Sequence, residues 1–238
     1  MRRAGRIVAG ALAAVGRKIA PGVTTAELDA CATVHVTARG GRMAFKEYRG
    51  YPANICVSVN EEVVHGIPGP RRLRAGDIVS VDIGVFCDNY CSDAAQTFAV
   101  GEVSEEARRL MAVTREALGA AIAVVRPGGR LSEVSEAVQR HVEGAGFSVV
   151  RKFVGHGIGS RMHEDPQVPN YVDAEVRRND LVLQPGIVLA IEPMVNAGGC
   201  DVEVLADAWT VVTKDRRLSA HFEHTVALGA DGPDVLTA

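Results

Sequence analysis

Two kinds of apolar pattern alternate along the chain. Residues 9–40 and 115–146 each read as a helix, a Pro-Gly break and a second helix. Laid over one another at an offset of 106, they bring Ala11, Leu12 and Ala14 onto Ala117, Leu118 and Ala120. Pro21-Gly22 then falls on Pro127-Gly128, Glu27 on Glu133 and Gly40 on Gly146. The second helix of each pair opens at Thr24/Thr25 or at Ser132, and glycine closes it near residue 40 or 146. The repeat predicts two similar α+β halves, about 1–104 and 105–238, inside one domain covering 1–238.

After each helical pair the apolar residues gather into short runs bounded by turn residues. These are Ile55–Val59, Asp77–Phe86 and Ala94–Val100 in the first half. The second half has Val149–Val154, Ile187–Ile191, Trp209–Thr213 and His221–Leu228. Helices then cover one face of a largely antiparallel sheet, and a site forms where the halves meet. Val172–Asp180 mixes charges and predicts an exposed loop.

Composition narrows the class. With 238 residues, 47% of them hydrophobic, the chain has enough apolar mass for a full core. A net charge of -3, with Lys and Arg scattered, argues against a nucleic-acid surface. The five cysteines, at 31, 56, 87, 91 and 200, are odd in number and contain no CxxC pair. That speaks against a disulfide framework or a cysteine zinc site and for a reducing cytoplasm. The basic start and apolar run of residues 1–15 look like a leader, but the run is too short to span a membrane and belongs to the repeat.

Four carboxylates sit where burial is costly. Asp82 lies in the apolar run Ile78–Phe86, Glu192 ends the run Ile187–Ile191, just before Pro193, and Glu223 interrupts another after Phe222. A turn around Cys87-Asp88 makes Asp82 and Asp93 cross-strand neighbours. Like charges at about 5 Å call for a cation or a shared proton. Any one of these residues also reads as a strand-edge or surface carboxylate. Together with His156 they supply four carboxylates and one imidazole, enough for two divalent ions with shared ligands. That donor set suits Mn, Fe, Co or Zn better than calcium. His156 and His163 are seven residues apart, yet Gly155, Gly157, Gly159 and Pro166 argue against a shared helix.

Several segments carry a resemblance. They are Val-Asp82-Ile with Asp93, Gly-His156-Gly-Ile-Gly, His163-Glu-Asp-Pro, Ile-Glu192-Pro-Met-Val and Phe-Glu223-His-Thr. To these add Gly50-Tyr-Pro, Cys56-Val-Ser-Val-Asn60-Glu, His65-Gly-Ile-Pro68 and Trp209-Thr-Val. In order and spacing the chain resembles the type I methionine aminopeptidases over nearly its whole length. The resemblance implies the α+β "pita-bread" fold and metal-dependent removal of the first methionine from nascent polypeptides, with a small second residue preferred. It implies that Asp82 chelates one metal, His156 and Glu192 the other, and that Asp93 and Glu223 bridge. Glu192 becomes the proton acceptor for a water made acidic by the metals, His163 faces the scissile carbonyl, and His65 contacts the same peptide group. Phe45, Tyr48, Tyr51, Cys56, Met162 and Trp209 become the methionine pocket, with ordinary core packing as their alternative. A cytoplasmic monomer in transient contact with the ribosome follows from the same resemblance.

The chain departs from the family pattern at Met162, where an aromatic is usual, at Glu47 for a common glycine, and at Gly84 for a common hydroxyl residue. Cys91-Ser92 replaces a His-Gly pair, and about three extra residues lie between His163 and Glu192. These departures suggest a divergent accessory or inhibitor-tolerant copy. Two other readings compete: a proline-directed peptidase and a non-catalytic binding protein of the same fold. The first usually carries a large amino-terminal domain, and the second typically loses ligands that are all present here.

Overall fold

The computed structural model describes residues 1–238. Helices α1 (Arg2–Lys18) and α2 (Thr25–Thr37) precede the first group of strands. α3 (Glu105–Val124) and α4 (Leu131–Gly144) precede the second. Residues 18 and 124 end the first helix of each pair, and 25 and 131 begin the second. Thr24 caps α2 with its side chain, accepting from the Glu27 N–H, while Glu27 accepts from the Thr24 N–H. Arg130 has no side-chain oxygen to do the same for α4. Asp180 reaches across 48 residues instead, taking the Ser132 N–H at 2.9 Å and its hydroxyl at 2.7 Å. The second α4 residue is thus held from a distance, and the helix opens one residue before Ser132.

Every strand pairing is antiparallel. One sheet joins β1 (Arg42–Met43), β2 (Cys56–Val59), β4 (Ile78–Cys87) and β5 (Tyr90–Ala99). A second runs β15 (Pro233–Val235), β14 (His224–Leu228), β9 (Val188–Ile191), β7 (Gly155–Gly157), β8 (Glu164–Val168). Two smaller sheets run β13 (Ser219–His221), β10 (Met194–Asn196), β6 (Ser148–Val149) and β11 (Val202–Val204), β12 (Val211–Thr213), β3 (Glu62–Val64).

Strand alternation sorts the residues. Val79, Val81, Ile83 and Val85 of β4 share a core with Val8, Leu12 and Val15 of α1 and Leu28 and Val36 of α2. Leu189 and Ile191 of β9 and Val226 and Leu228 of β14 do so with Leu110, Leu118, Val134 and Val138 of α3 and α4. Ser80, Asp82 and Gly84, and likewise Ala190, are left for the opposite face. The first and second groups of strands meet where Ala95 and Glu223 exchange backbone hydrogen bonds of 3.4 and 2.9 Å. The Thr225 hydroxyl accepts from the Asp93 N–H at 2.9 Å and donates to the Asp93 carbonyl at 2.7 Å. Thr97 does the same for His221, at 2.9 Å in both directions.

Three expectations change. Asp88 and Asn89 both take positive φ, 50° and 66°, in a two-residue hairpin turn. This turn pairs Asp82 with Ala95 and Asp93 with Gly84, so the two carboxylates are diagonal on one face rather than directly opposite. Val172–Asp180 is not all loop: α5 (Ala174–Arg178) begins where the Asp173 carboxylate accepts from the Glu175 and Val176 N–H groups, both at 2.9 Å. Of the run Val149–Val154 only Val149 is in a strand, and His221–Leu228 is divided between two sheets. That division leaves Glu223 at the crossing.

Candidate active site

The five acidic and imidazole groups converge on the face opposite the helices. Asp82 comes from β4, Asp93 from β5, His156 from β7, Glu192 from the end of β9 and Glu223 from the junction of β13 and β14. One donor atom each from Asp93, His156 and Glu223 lie within 4.8 Å of one another. His156 Nε2 is 3.7 Å from Glu192 Oε1. Asp82 Oδ1, Asp93 Oδ1 and Glu223 Oε1 are buried with no hydrogen-bond partner. Unpaired carboxylate oxygens at such depth are strongly unfavourable, and hard oxygen donors with one imidazole fit a divalent cation. In the absence of a cation, burial pushes Asp82, Glu192 and Glu223 well above the usual carboxylate range, with the Asp93 charge adding to each. Asp93 itself is raised to about 6, again by burial. The cluster therefore disfavours four bare charges and favours a bound cation.

The backbone around His156 explains its glycines. A Cβ on Gly155 would stand 2.3 Å from the Ala190 carbonyl oxygen, and one on Gly157 2.2 Å from that of Asp165. Only glycine lets β7 lie between β8 and β9 this closely. His156 Nδ1–H donates to the Gly157 carbonyl at 2.8 Å, which leaves Nε2 its lone pair toward the carboxylates. Burial lowers the pKa of His156, so the ring is neutral and able to ligate.

All thirteen residues singled out in the sequence line one cavity of about 150 Å³. The apolar wall has Phe45, Tyr51, Cys56, Met162 and Trp209. Tyr51 is pinned by its hydroxyl to the Ile55 and Gly66 carbonyls, at 3.1 and 2.9 Å, and meets Trp209 edge-on at 5.1 Å. Phe45 rests on Gly84, where a Cβ would lie 2.5 Å from its ring. His163 stacks on Tyr48 at 5.3 Å, its Nδ1 is 2.9 Å from the Tyr48 hydroxyl, and its ring centroid is 4.1 Å from that of His156.

The pattern defining metallopeptidase family M24 matches residues 1–230. The chain belongs to this family. It is 50% identical over 237 residues to methionine aminopeptidase 1 of Bacillus subtilis, covering 100% of this chain and 94% of that one. The Escherichia coli methionine aminopeptidase is 44% identical, with 100% and 89% covered. A solved methionine aminopeptidase of Thermotoga maritima superposes with a TM-score of 0.96 at 45% identity, over 100% of this chain and 94% of that one. Within family M24 the chain is therefore placed among the methionine aminopeptidases, and its fold is the pita-bread fold. A prolidase of Pyrococcus furiosus shares that fold with a TM-score of 0.80 at 22% identity, over 100% of this chain and 62% of that one. The proline-directed and non-catalytic readings are not favoured.

Within this family member, several neighbours of the site lay outside the sequence reading. His221 is fully buried, its Nε2 has no partner and lies 3.8 Å from Glu192 Oε2, and burial lowers its pKa to about 3. Asn170 Nδ2 donates to the Glu192 carbonyl at 2.9 Å. Thr225 anchors the Asp93 backbone, and Arg49 joins the cavity lining. His221 precedes Glu223 by two residues, so strand alternation was the available signal. For Arg49 and Asn170 there was none. The substrate-side histidines are neutral: burial lowers His65 to about 4, and burial, then His156, Arg49 and His65, lower His163 to about 3.

Proposed function

We propose that this protein removes the amino-terminal methionine from nascent proteins and peptides, preferring a small second residue, with water as the nucleophile. The observation that carries this reading is the set of buried, unpartnered carboxylate oxygens beside a cavity whose other wall is apolar and sulfur-bearing. Asp82 would hold one divalent ion, His156 and Glu192 a second, with Asp93 and Glu223 shared; Co, Mn, Fe and Zn all suit the donors. Such ions supply the charge that makes water acidic enough to attack near neutral pH.

The protein's own groups do the rest. Glu192 takes the proton from the attacking water and passes it to the leaving amine. With the Tyr48 hydroxyl donating to His163 Nδ1, the His163 proton sits on Nε2 and is offered to the scissile carbonyl oxygen, while His65 contacts the same peptide group. Phe45, Tyr48, Tyr51, Cys56, Met162 and Trp209 receive the thioether side chain. Residues 1–238 act as one catalytic domain of two related halves, working as a cytoplasmic monomer in transient contact with the ribosome. No helix is long and apolar enough to cross a membrane.

Protein loaded with Mn or Co should release methionine from Met-Ala-Ser, and neither leucine from Leu-Ala-Ser nor the first residue of Xaa-Pro peptides. No metal-dependent methionine release from any peptide would refute the reading.

A further inference from the structure

Arg49 is the one Lys or Arg among the fourteen residues lining the cavity, and its side chain is exposed. It belongs to a tightly wound turn, Tyr48–Gly50, in which Glu47 and Arg49 take φ of 68° and 51°. Left-handed backbone is disfavoured for a non-glycine residue, so the surroundings must impose it. They do: Tyr48 N–H donates to the Phe45 carbonyl at 2.9 Å, Glu47 N–H to that of Tyr51 at 2.8 Å, and Tyr51 N–H to that of Tyr48 at 3.0 Å. The Arg49 guanidinium lies 5.4 Å from the centroid of the Tyr48 ring and takes part in none of the molecule's ion pairs. A row of contacts leads outward from His156 through His163 and Tyr48 to Arg49.

The charges in the cavity leave this cation unmatched. It is the one permanently cationic side chain at the cavity, and no carboxylate of the protein pairs with it. Its guanidinium lies beyond His163 and Tyr48 from the carboxylates, at the exposed edge of the cavity. An extended peptide advances about 3.4 Å per residue, so two residues past the scissile carbonyl cover about 7 Å, enough to bring a side chain within reach of Arg49.

We propose that Arg49 reads a carboxylate on the third residue of the substrate, either an Asp or Glu side chain or the free terminus of a tripeptide. The proposal rests on the aminopeptidase reading above. Its test compares kcat/KM of the metal-loaded enzyme on Met-Ala-Asp-Gly-amide, Met-Ala-Ser-Gly-amide and Met-Ala-Lys-Gly-amide, and on Met-Ala-Ser as free acid and as amide. The expected order is Asp over Ser over Lys, with about three- to fivefold between steps and a preference that shrinks in 1 M salt. A preference for the free acid alone would assign the carboxylate to the terminus, and one for Asp alone to the side chain; either supports the proposal. Arg49→Lys should keep the order, Arg49→Gln flatten it and Arg49→Glu reverse it, with the melting temperature checked for each. Methionine release with an Asp-to-Lys ratio near one and no preference for the free acid, or preferences unmoved in Arg49→Glu, overturns the proposal while the aminopeptidase reading stands. No release from any peptide removes both.

Discussion

Asp93 shows how a single carboxylate couples metal binding to stability. Its ordinary pKa near 3.8 rises to about 6 in the cation-free fold because the group is buried. Between those values the folded chain binds more protons than the unfolded one. The fold therefore carries no penalty from this group below about pH 4 and acquires it as pH rises through 6. Asp93→Asn in chelator should then be more stable than the parent at pH 7.5, by about 3 kcal/mol for a shift of some two units, and equal to it below pH 4. Denaturant unfolding at both pH values measures this; a stabilisation independent of pH would contradict it. Glu192→Gln should keep the fold and, like Asp93→Asn, raise the melting temperature in chelator at pH 7.5, but lower kcat by about 10²–10⁴-fold. Near-normal kcat at full metal occupancy would remove the proton-acceptor role. At this scale the carboxylates were legible because a charge within an apolar strand demands compensation. His221 was signalled only by its place two residues before Glu223, and Arg49 by nothing: an arginine in a loop costs nothing that the sequence displays.

Among the elements, β4 does two jobs through alternation. One face packs α1 and α2, and the other carries Asp82 and the Gly84 socket for Phe45. Gly84→Ala should drive the Phe45 ring toward the cavity and raise KM for methionine peptides several-fold. The double variant Gly84→Ala/Phe45→Leu should recover most of the loss, because the smaller side chain vacates the clash. Unchanged KM in the single variant would show that the ring has other room. The helix pairs were readable from Pro-Gly breaks and glycine stops, since those signals are local. α5 was hidden because a five-residue helix is too short for an apolar repeat to recur, though Asp173 was its cap signal. The β4–β5 register shifted because two left-handed residues form the turn, a choice that Asp-Asn chemistry allows but does not compel.

Across the whole molecule the first and second groups of strands are tied by polar bonds at the site itself. Thr225→Val deletes both hydrogen bonds to Asp93 and leaves a buried N–H and C=O unpaired. A loss of about 1–3 kcal/mol in unfolding free energy is expected, accompanied by weaker metal affinity by titration calorimetry, because the ligand strand is no longer anchored. Removing divalent metal should lower the melting temperature, and adding it back at about 100 times Kd should restore about 2.7 kcal/mol. A metal-independent melting temperature would count against a folded-state site.

From the sequence alone, the two helix pairs, the antiparallel class and the group of four carboxylates and one imidazole were determined. Periodicity, turn residues and the cost of burying charge are properties of short stretches. Only the tertiary structure decided that Asp82 and Asp93 lie diagonally and that Glu223 stands where two sheets cross. It also decided that His221 approaches Glu192 and that Arg49 faces the cavity. Those relations join residues from separate strands and loops, and their distances depend on register and sheet packing, which no local pattern encodes.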